Sequence, residues 1–238
     1  VKINQIGPIT IKDYLTGDGA PKKLADPEEV TSTQQELVID KAKYFNFKVD
    51  DIDVAQANVK LVDKAMDRAS YAIGDVIDQH IASFVKDAGI KVGSTATPID
   101  VEVANAYDQL VDLAVKLYEN NVTRAGRFAI IPAWYLGMLS KDPRFTKDFK
   151  VLANGVIDGA DVAGFTLRMS NNVPVAANKY SIMAGTEQAI TYAGQITEIE
   201  SYRPEKTFAD AVKGLFVYGT KVIEPKALVN FTCKVKGA

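Results

Sequence analysis

The chain has 238 residues, 28 Lys and Arg against 30 Asp and Glu, and a net charge of −2; this length suffices for a sizeable core in one large domain or two smaller ones. The balanced charge gives no sign of a protein that grips nucleic acid through a basic surface, and a single cysteine, Cys233, excludes an internal disulfide or a cysteine metal cluster. No apolar run reaches the roughly 18 residues of a membrane span, no signal peptide is visible, and Val1 opens without Met inside strand-like sequence, so residues ahead of it are expected.

VKINQIGPITIKDYL, residues 1 to 15, is rich in Ile, Val and Thr, with Gly7-Pro8 as a bulge or unpaired edge position. TGDGAPKKLADPEEVTST then reads as a polar tip, and QQELVIDKAKYFNFKVDDID, residues 34 to 53, as one long strand. Leu37, Ile39, Phe45, Phe47 and Val49 share one face of it, interrupted by Lys41 and Lys43. At about 3.3 Å per residue, roughly thirteen strand residues span about 43 Å, longer than an ordinary strand. A two-stranded ribbon of this kind is marginal alone in water. It either folds over the chain's own core or lies as an arm across a neighbouring subunit; both readings stay open at this point.

A long helix follows, over about 54 to 87, with Val59, Val62, Met66, Ala69, Ile73, Ile77, Ile81 and Phe84 recurring at threes and fours. Asp53 suits its cap and Gly89 its stop, and Gly74 inside it suggests close approach of another backbone. The spacing predicts a second helix opened by Thr97 and Pro98, with Val103, Tyr107, Leu110, Ala114 and Leu117 as its core face. Phe128 to Ile131 is a short buried strand, and Pro132 opens a third helix. Strands are predicted over 162–170 and 179–185, with TEQAITYAG as a short helix capped at Thr186. From Gln195 the chain is all strand: a long element through Val222, a turn at Glu224-Pro225-Lys226, and Ala227 to Val235 returning antiparallel as a terminal hairpin. That hairpin would supply sheet for the long helix, with an α/β insertion of about 92–195 between them.

Chemistry is sparse. His80, the only histidine, sits beside Ile77, Ile81 and Phe84 on the long helix and reads as structural. Cys233 reads as a small buried residue, and Trp134 and Tyr135 as core. No hydrolase elbow, zinc-protease helix or phosphate loop is present. Asp50, Asp51 and Asp53, and again Asp158 and Asp161, lack the full calcium-loop pattern. Arg203-Pro204-Glu205-Lys206 is a charged turn, solvated or salt-bridged at an interface. No cofactor is expected, and a soluble α/β enzyme is the weakest reading.

INQIGPITIKDY, STQQELVIDKAKYFNFKVDDID, VAQANVKLVDKAM, RFAIIPAWYLGML, GVIDGADVAGFTLRMSNNVP and FVYGTKVIEPKALVNFTCK occur in an order that resembles the major capsid proteins of tailed bacteriophages, whose shell fold is shared with encapsulins. The resemblance spans essentially the whole chain. It implies an α+β capsid shell fold: residues 1–52 as an extended β-hairpin loop, 53–91 and 196–238 as a peripheral domain with a spine helix and β-sheet, and 92–195 as an inserted α/β axial domain. It implies a virion protein assembling with many copies of itself as pentamers and hexamers into an icosahedral or prolate head. Portal and scaffolding proteins, a decoration protein, and packaged double-stranded DNA held without sequence-specific binding are the implied partners. An encapsulin-like shell around cargo is the alternative. Intersubunit roles fall on Lys12, Lys22, Lys23, Tyr44, Phe45 and Phe47, and spine-helix roles on Met66, Ile73 and His80. Some relatives join a Lys to an Asn covalently; Lys12, Lys22 or Lys23 with Asn230 would be the candidates here.

Overall fold

The computed structural model describes residues 2–6, 32–50, 61–146, 161–205 and 207–237. In chain order the strands and helices are β1 (Lys2–Ile6), β2 (Ser32–Glu36), β3 (Lys41–Asp50), α1 (Leu61–Ser83), β4 (Ile90–Val92), β5 (Ile99–Val101), α2 (Ala106–Glu119), β6 (Arg127–Ile131), α3 (Ala133–Lys141) and α4 (Pro143–Thr146). They continue as β7 (Asp161–Val162), β8 (Phe165–Met169), β9 (Val175–Ala176), β10 (Lys179–Thr186), β11 (Ile190–Tyr202), β12 (Ala209–Val222) and β13 (Leu228–Val235). Three sheets result: a ribbon β1-β2, a three-stranded sheet β11-β12-β3, and an eight-stranded sheet in the order β4-β13-β10-β6-β8-β7, with β5 added to β13 and β9 to β10.

The main core lies on the eight-stranded sheet. Leu110, Leu113, Ala114 and Leu117 recur at threes and fours along α2, so one stripe of that helix is buried with Ile131, Phe165, Leu167, Val229 and Phe231 of the strands. Each such Leu is worth about 2–5 kcal/mol against Ala. Tyr135 of α3 is fully buried in the same cluster, and its hydroxyl donates to the Ala106 carbonyl at 2.8 Å, tying α3 to the start of α2. Trp134 packs on Tyr180 with ring centroids 5.2 Å apart. Cys233 is also fully buried, and burial pushes its thiol up to about 12, so it packs rather than reacts at neutral pH.

The long strand expected over 34–53 is two strands in two sheets. Residues 37–40 carry no ladder: Leu37 is buried, and the backbone at Val38 and Ile39 passes so close over Gly219 of β12 that a Cβ there would meet the Val38 carbonyl. β2 pairs with β1, from Lys2 opposite Glu36 to Ile6 opposite Ser32, while β3 pairs antiparallel with β12.

The terminal hairpin does not form either. The turn is present, with Ala227 N–H donating to Glu224 O at 3.0 Å, but it carries the chain from one sheet to the other. β13 pairs with β10, β4 and β5 and never with β12. Its residues Leu228, Val229, Phe231, Thr232 and Cys233 are nearly all buried, which is the signature of a central strand covered on both faces. The turn docks where Gly89 N–H donates to Pro225 O at 2.8 Å, beside a second cluster of Val85, Ala88, Met183, Ala189, Ala227 and Leu228.

Other boundaries shift for local reasons. Thr97 does not open α2. Its N–H is taken by Ser94 Oγ at 3.0 Å, and β5 then pairs parallel with β13 before the helix starts at Ala106. The predicted helix at Thr186 is a single 3-10 turn, Glu187–Ala189, after which Ile190-Thr191-Tyr192 enter the β11–β12 ladder. α1 is described from Leu61 and ends in a 3-10 turn, Phe84–Asp87; its predicted cap, Asp53, lies outside the described residues. Among the described residues, nothing lies within 4 Å of where a side chain at Gly74 would start, so none of their backbone packs there.

Candidate functional site

Strand period and register bring Phe45, Phe47 and Val49 of β3 to the same face as Val212, Phe216 and Tyr218 of β12 and Ile196 and Ile199 of β11. α1 lies over this face. The Phe45 ring occupies the space that a side chain at Gly214, its cross-strand partner, would fill. Phe45 and Phe47 stack at 6.0 Å. Met66, Ile73, Ile77 and Ile81 are half-buried, and Ala82 is the one buried residue among the described residues of α1. A 23-residue helix thus covers its sheet incompletely. The shortfall is a notch of about 130 Å³ lined by Phe45, Met66, Ile73, Ile196, Ile199 and Phe216, with Ser70 among its polar atoms.

His80 closes the other end of the helix contact. Its ring meets Tyr218 at 5.1 Å and Phe84 at 5.2 Å, both edge-on. Burial, then the nearby Lys41 charge, holds its pKa below the ordinary imidazole value; Asp40 opposes this and Lys86 adds to it. Next to it, where the chain passes from β2 to β3, Glu36, Asp40, Lys41, Lys86 and Lys221 line a groove of about 510 Å³. Lys221 Nζ donates to the Glu36 carbonyl at 2.9 Å and pins that passage.

The reverse face of the three-stranded sheet is polar with aromatic islands. Tyr44 is exposed there. Lys213 bridges Glu200 at 2.6 Å and lies 5.4 Å from the Tyr202 ring centroid, while Tyr202 Oη donates to Asn46 at 3.1 Å. Such exposed ion pairs contribute about 0–1 kcal/mol. Among the described residues, nine of the fourteen exposed large hydrophobics, including Val38, Tyr71, Ile196 and Ile199, belong to α1, the three-stranded sheet or the crossing at 37–40, and a tenth, Phe208, stands at the end of the β11–β12 hairpin. The eight-stranded side contributes the other four, so uncovered apolar surface is concentrated on one part of the molecule.

Of the residues singled out from sequence, Lys12, Lys22 and Lys23 lie outside the described residues. Phe45, Met66 and Ile73 come together in the notch, Phe47 stacks behind Phe45, His80 sits at the far end of the same helix face, and Tyr44 points to the opposite side. Asn230 is on β13 opposite Met183. Sequence reasoning missed Tyr218 as the partner of His80, Gly214 as the seat of Phe45, and Phe208 as an exposed tip. The alternation of β12 carries the first two, but only once its register with β3 is known. Among the described residues, no three His, Cys, Asp or Glu side chains converge to hold a metal. Asp161 accepts from Thr166 Oγ1 at 2.8 Å within its own hairpin.

The family described as "Phage capsid protein" matches residues 33–231. No curated protein matches the chain in sequence. A solved structure from Mycobacterium phage Che8 is 27% identical, covers 97% of this chain and 83% of its own, and superposes with a TM-score of 0.74. The capsid structure of the cyanophage P-SCSP1u is 15% identical, with 99% and 84% covered and a TM-score of 0.72. The virus-like particle from Pyrococcus furiosus shares the fold at 14% identity, 98% and 85% coverage and a TM-score of 0.57.

Proposed function

The chain belongs to the phage capsid protein family, a structural protein of the virion rather than an enzyme, and from that premise we propose how its surfaces build the shell. Many copies associate as pentamers and hexamers into a closed head that encloses double-stranded DNA by confinement. The ribbon within residues 1–52 reaches over an adjacent subunit, with Lys12, Lys22 and Lys23 as its contact residues; Tyr44, exposed on the three-stranded sheet, adds to the contact, whereas Phe45 and Phe47 pack on the face under the chain's own α1. Residues 53–91 with 196–238 form the peripheral part around the spine helix α1, and 92–195 the axial part that meets its symmetry mates. Portal, scaffolding and decoration proteins are the further partners of such a shell.

The observation that carries this reading is the uncovered apolar surface on α1, the three-stranded sheet and the 37–40 crossing. A monomer gains nothing from exposing Tyr71, Ile196 and Val38, whereas a subunit buries them against its neighbours. The likeness to the Pyrococcus furiosus particle supports a second reading, a shell that closes around cargo other than a phage genome.

Electron microscopy of the purified full chain tests both. Closed particles of uniform diameter are expected, and density for packaged DNA in particles from infected cells separates the two. A chain that stays monomeric under every assembly condition sinks the shell reading. Deleting Asp18 to Val30 should leave the subunit folded and impair assembly; normal shells from that variant would remove the ribbon from the interface.

A further inference from the structure

Phe208 is the most exposed large hydrophobic residue described, at 87%. It stands at the tip of the β11–β12 hairpin, which is paired, with one bulge between Ile196 and Glu198, up to Tyr202 opposite Ala211. Arg203 Nε bridges Asp210 at 3.0 Å across the end of the hairpin, and Ala209 and Ala211, just past Phe208, are buried. An exposed aromatic ring carries a large apolar area on only two side-chain torsions, which suits an anchor residue.

Resting on the shell-subunit reading above, we propose that Phe208 seats in the apolar notch between α1 and the three-stranded sheet of a second copy of this chain. The notch of about 130 Å³ matches a phenyl ring in size: a cavity of about 150 Å³ lined by Leu, Ile and Phe takes up benzene. It is reachable, because Ile196 and Ile199 on its rim are 62% and 52% exposed. The chain's own Phe208 does not reach it. The β12 wall of the notch begins at Gly214, six strand residues away, or about 20 Å at roughly 3.4 Å per residue. Knob and notch are different surfaces of one chain, so the contact is heterologous, the kind that closes into a ring when the rotation between copies allows it.

The test uses two single variants of the full chain, Phe208→Cys and Ile196→Cys, both at exposed positions that leave the core intact. Cys233 is fully buried and stays out of the exchange. The two variants are mixed, assembled and oxidised, and the products are separated without reductant. Mixed dimers, absent from either variant alone, are expected to dominate, and maleimide labelling of the Phe208→Cys thiol should fall at least tenfold on assembly. Phe208→Ala should raise the concentration needed for assembly on the order of 30-fold, as for an anchor residue, and Ile73→Trp, which fills the notch from within, should act in the same direction. Particles that form without mixed dimers and with the thiol still reactive overturn the contact while leaving the shell reading intact. Homodimers of Phe208→Cys overturn it in favour of tip-to-tip packing. A wild-type chain that forms no particles fails the shell reading itself.

Discussion

The crossing of residues 37–40 over β12 makes Gly219→Ala a sharp test of how the ribbon is held. A Cβ built on Gly219 meets the Val38 carbonyl oxygen and lies 3.0 Å from Ile39 Cα and 3.1 Å from Val38 C. All three are backbone atoms, so no rotamer change relieves the contact; the crossing has to lift. Lifting it draws Leu37 from its buried site and loosens Lys221 Nζ from Glu36 O. Overpacking of this kind costs about 1–3 kcal/mol. For a chain of this size each kcal/mol shifts the melting midpoint by about 2–4 °C, so a fall of about 2–12 °C is expected for the unassembled subunit. Gly74→Ala is the matched control with the opposite sign. A methyl there meets nothing within 4 Å, and Ala in a helix interior is favoured by about 1 kcal/mol, so the midpoint should rise by about 2–4 °C. Differential scanning calorimetry on both variants decides the matter. A Gly219→Ala midpoint equal to or above wild type refutes the crossing as drawn.

Tyr135→Phe removes the hydroxyl that donates to Ala106 O inside the core and should cost about 1–2 kcal/mol in urea unfolding, whereas an unchanged midpoint would show that the bond contributes nothing. The depressed pKa of His80 means that unfolding takes up a proton just below the ordinary value of 6.5, so the stability given by the neutral ring is present above about pH 6.5 and is lost as pH falls through that value towards the lowered one. Melting of the wild type and His80→Gln between pH 5 and 8 should therefore diverge, with the variant flatter; parallel profiles leave the histidine a packing residue only. Truncation after Glu224 removes β13 from between β10 and β4 and should give insoluble chain, so soluble, shell-forming product would contradict the sheet order.

The elements that rest on local pattern were legible in the sequence. The apolar run at Phe128–Ile131, the helix opened by Pro132 and the period of threes and fours from Val62 to Phe84 all appear where the residues predict. Pairing was less legible, because it depends on which distant strand wins. β12 and β13 look like a hairpin from their short connection, yet β13 is apolar at nearly every position, and a strand of that kind goes to the middle of a sheet. Leu37 and Ile39 fit the alternation of a continuous strand, and nothing in 34–53 itself announces the break. The cause is Gly219, far along the chain, whose missing side chain lets another backbone cross. The notch was half legible in the same way: Phe45, Met66 and Ile73 stand out as apolar positions, but their meeting depends on the β3–β12 register. Phe208 read as one more strand residue until the hairpin tip exposed it.

The place of β13 also sets a clock. Its neighbours β4, β5 and β10 are all made earlier by the ribosome, and on each of them β13 covers an edge that otherwise stays open. A nascent chain therefore carries unpaired strands and half a core until Val235 has emerged, a state that favours chaperone capture and non-native pairing. Native contacts of such large sequence separation form slowly. The second cluster, with Leu228 beside Met183 and Val85, becomes complete only when synthesis has passed the turn at Pro225.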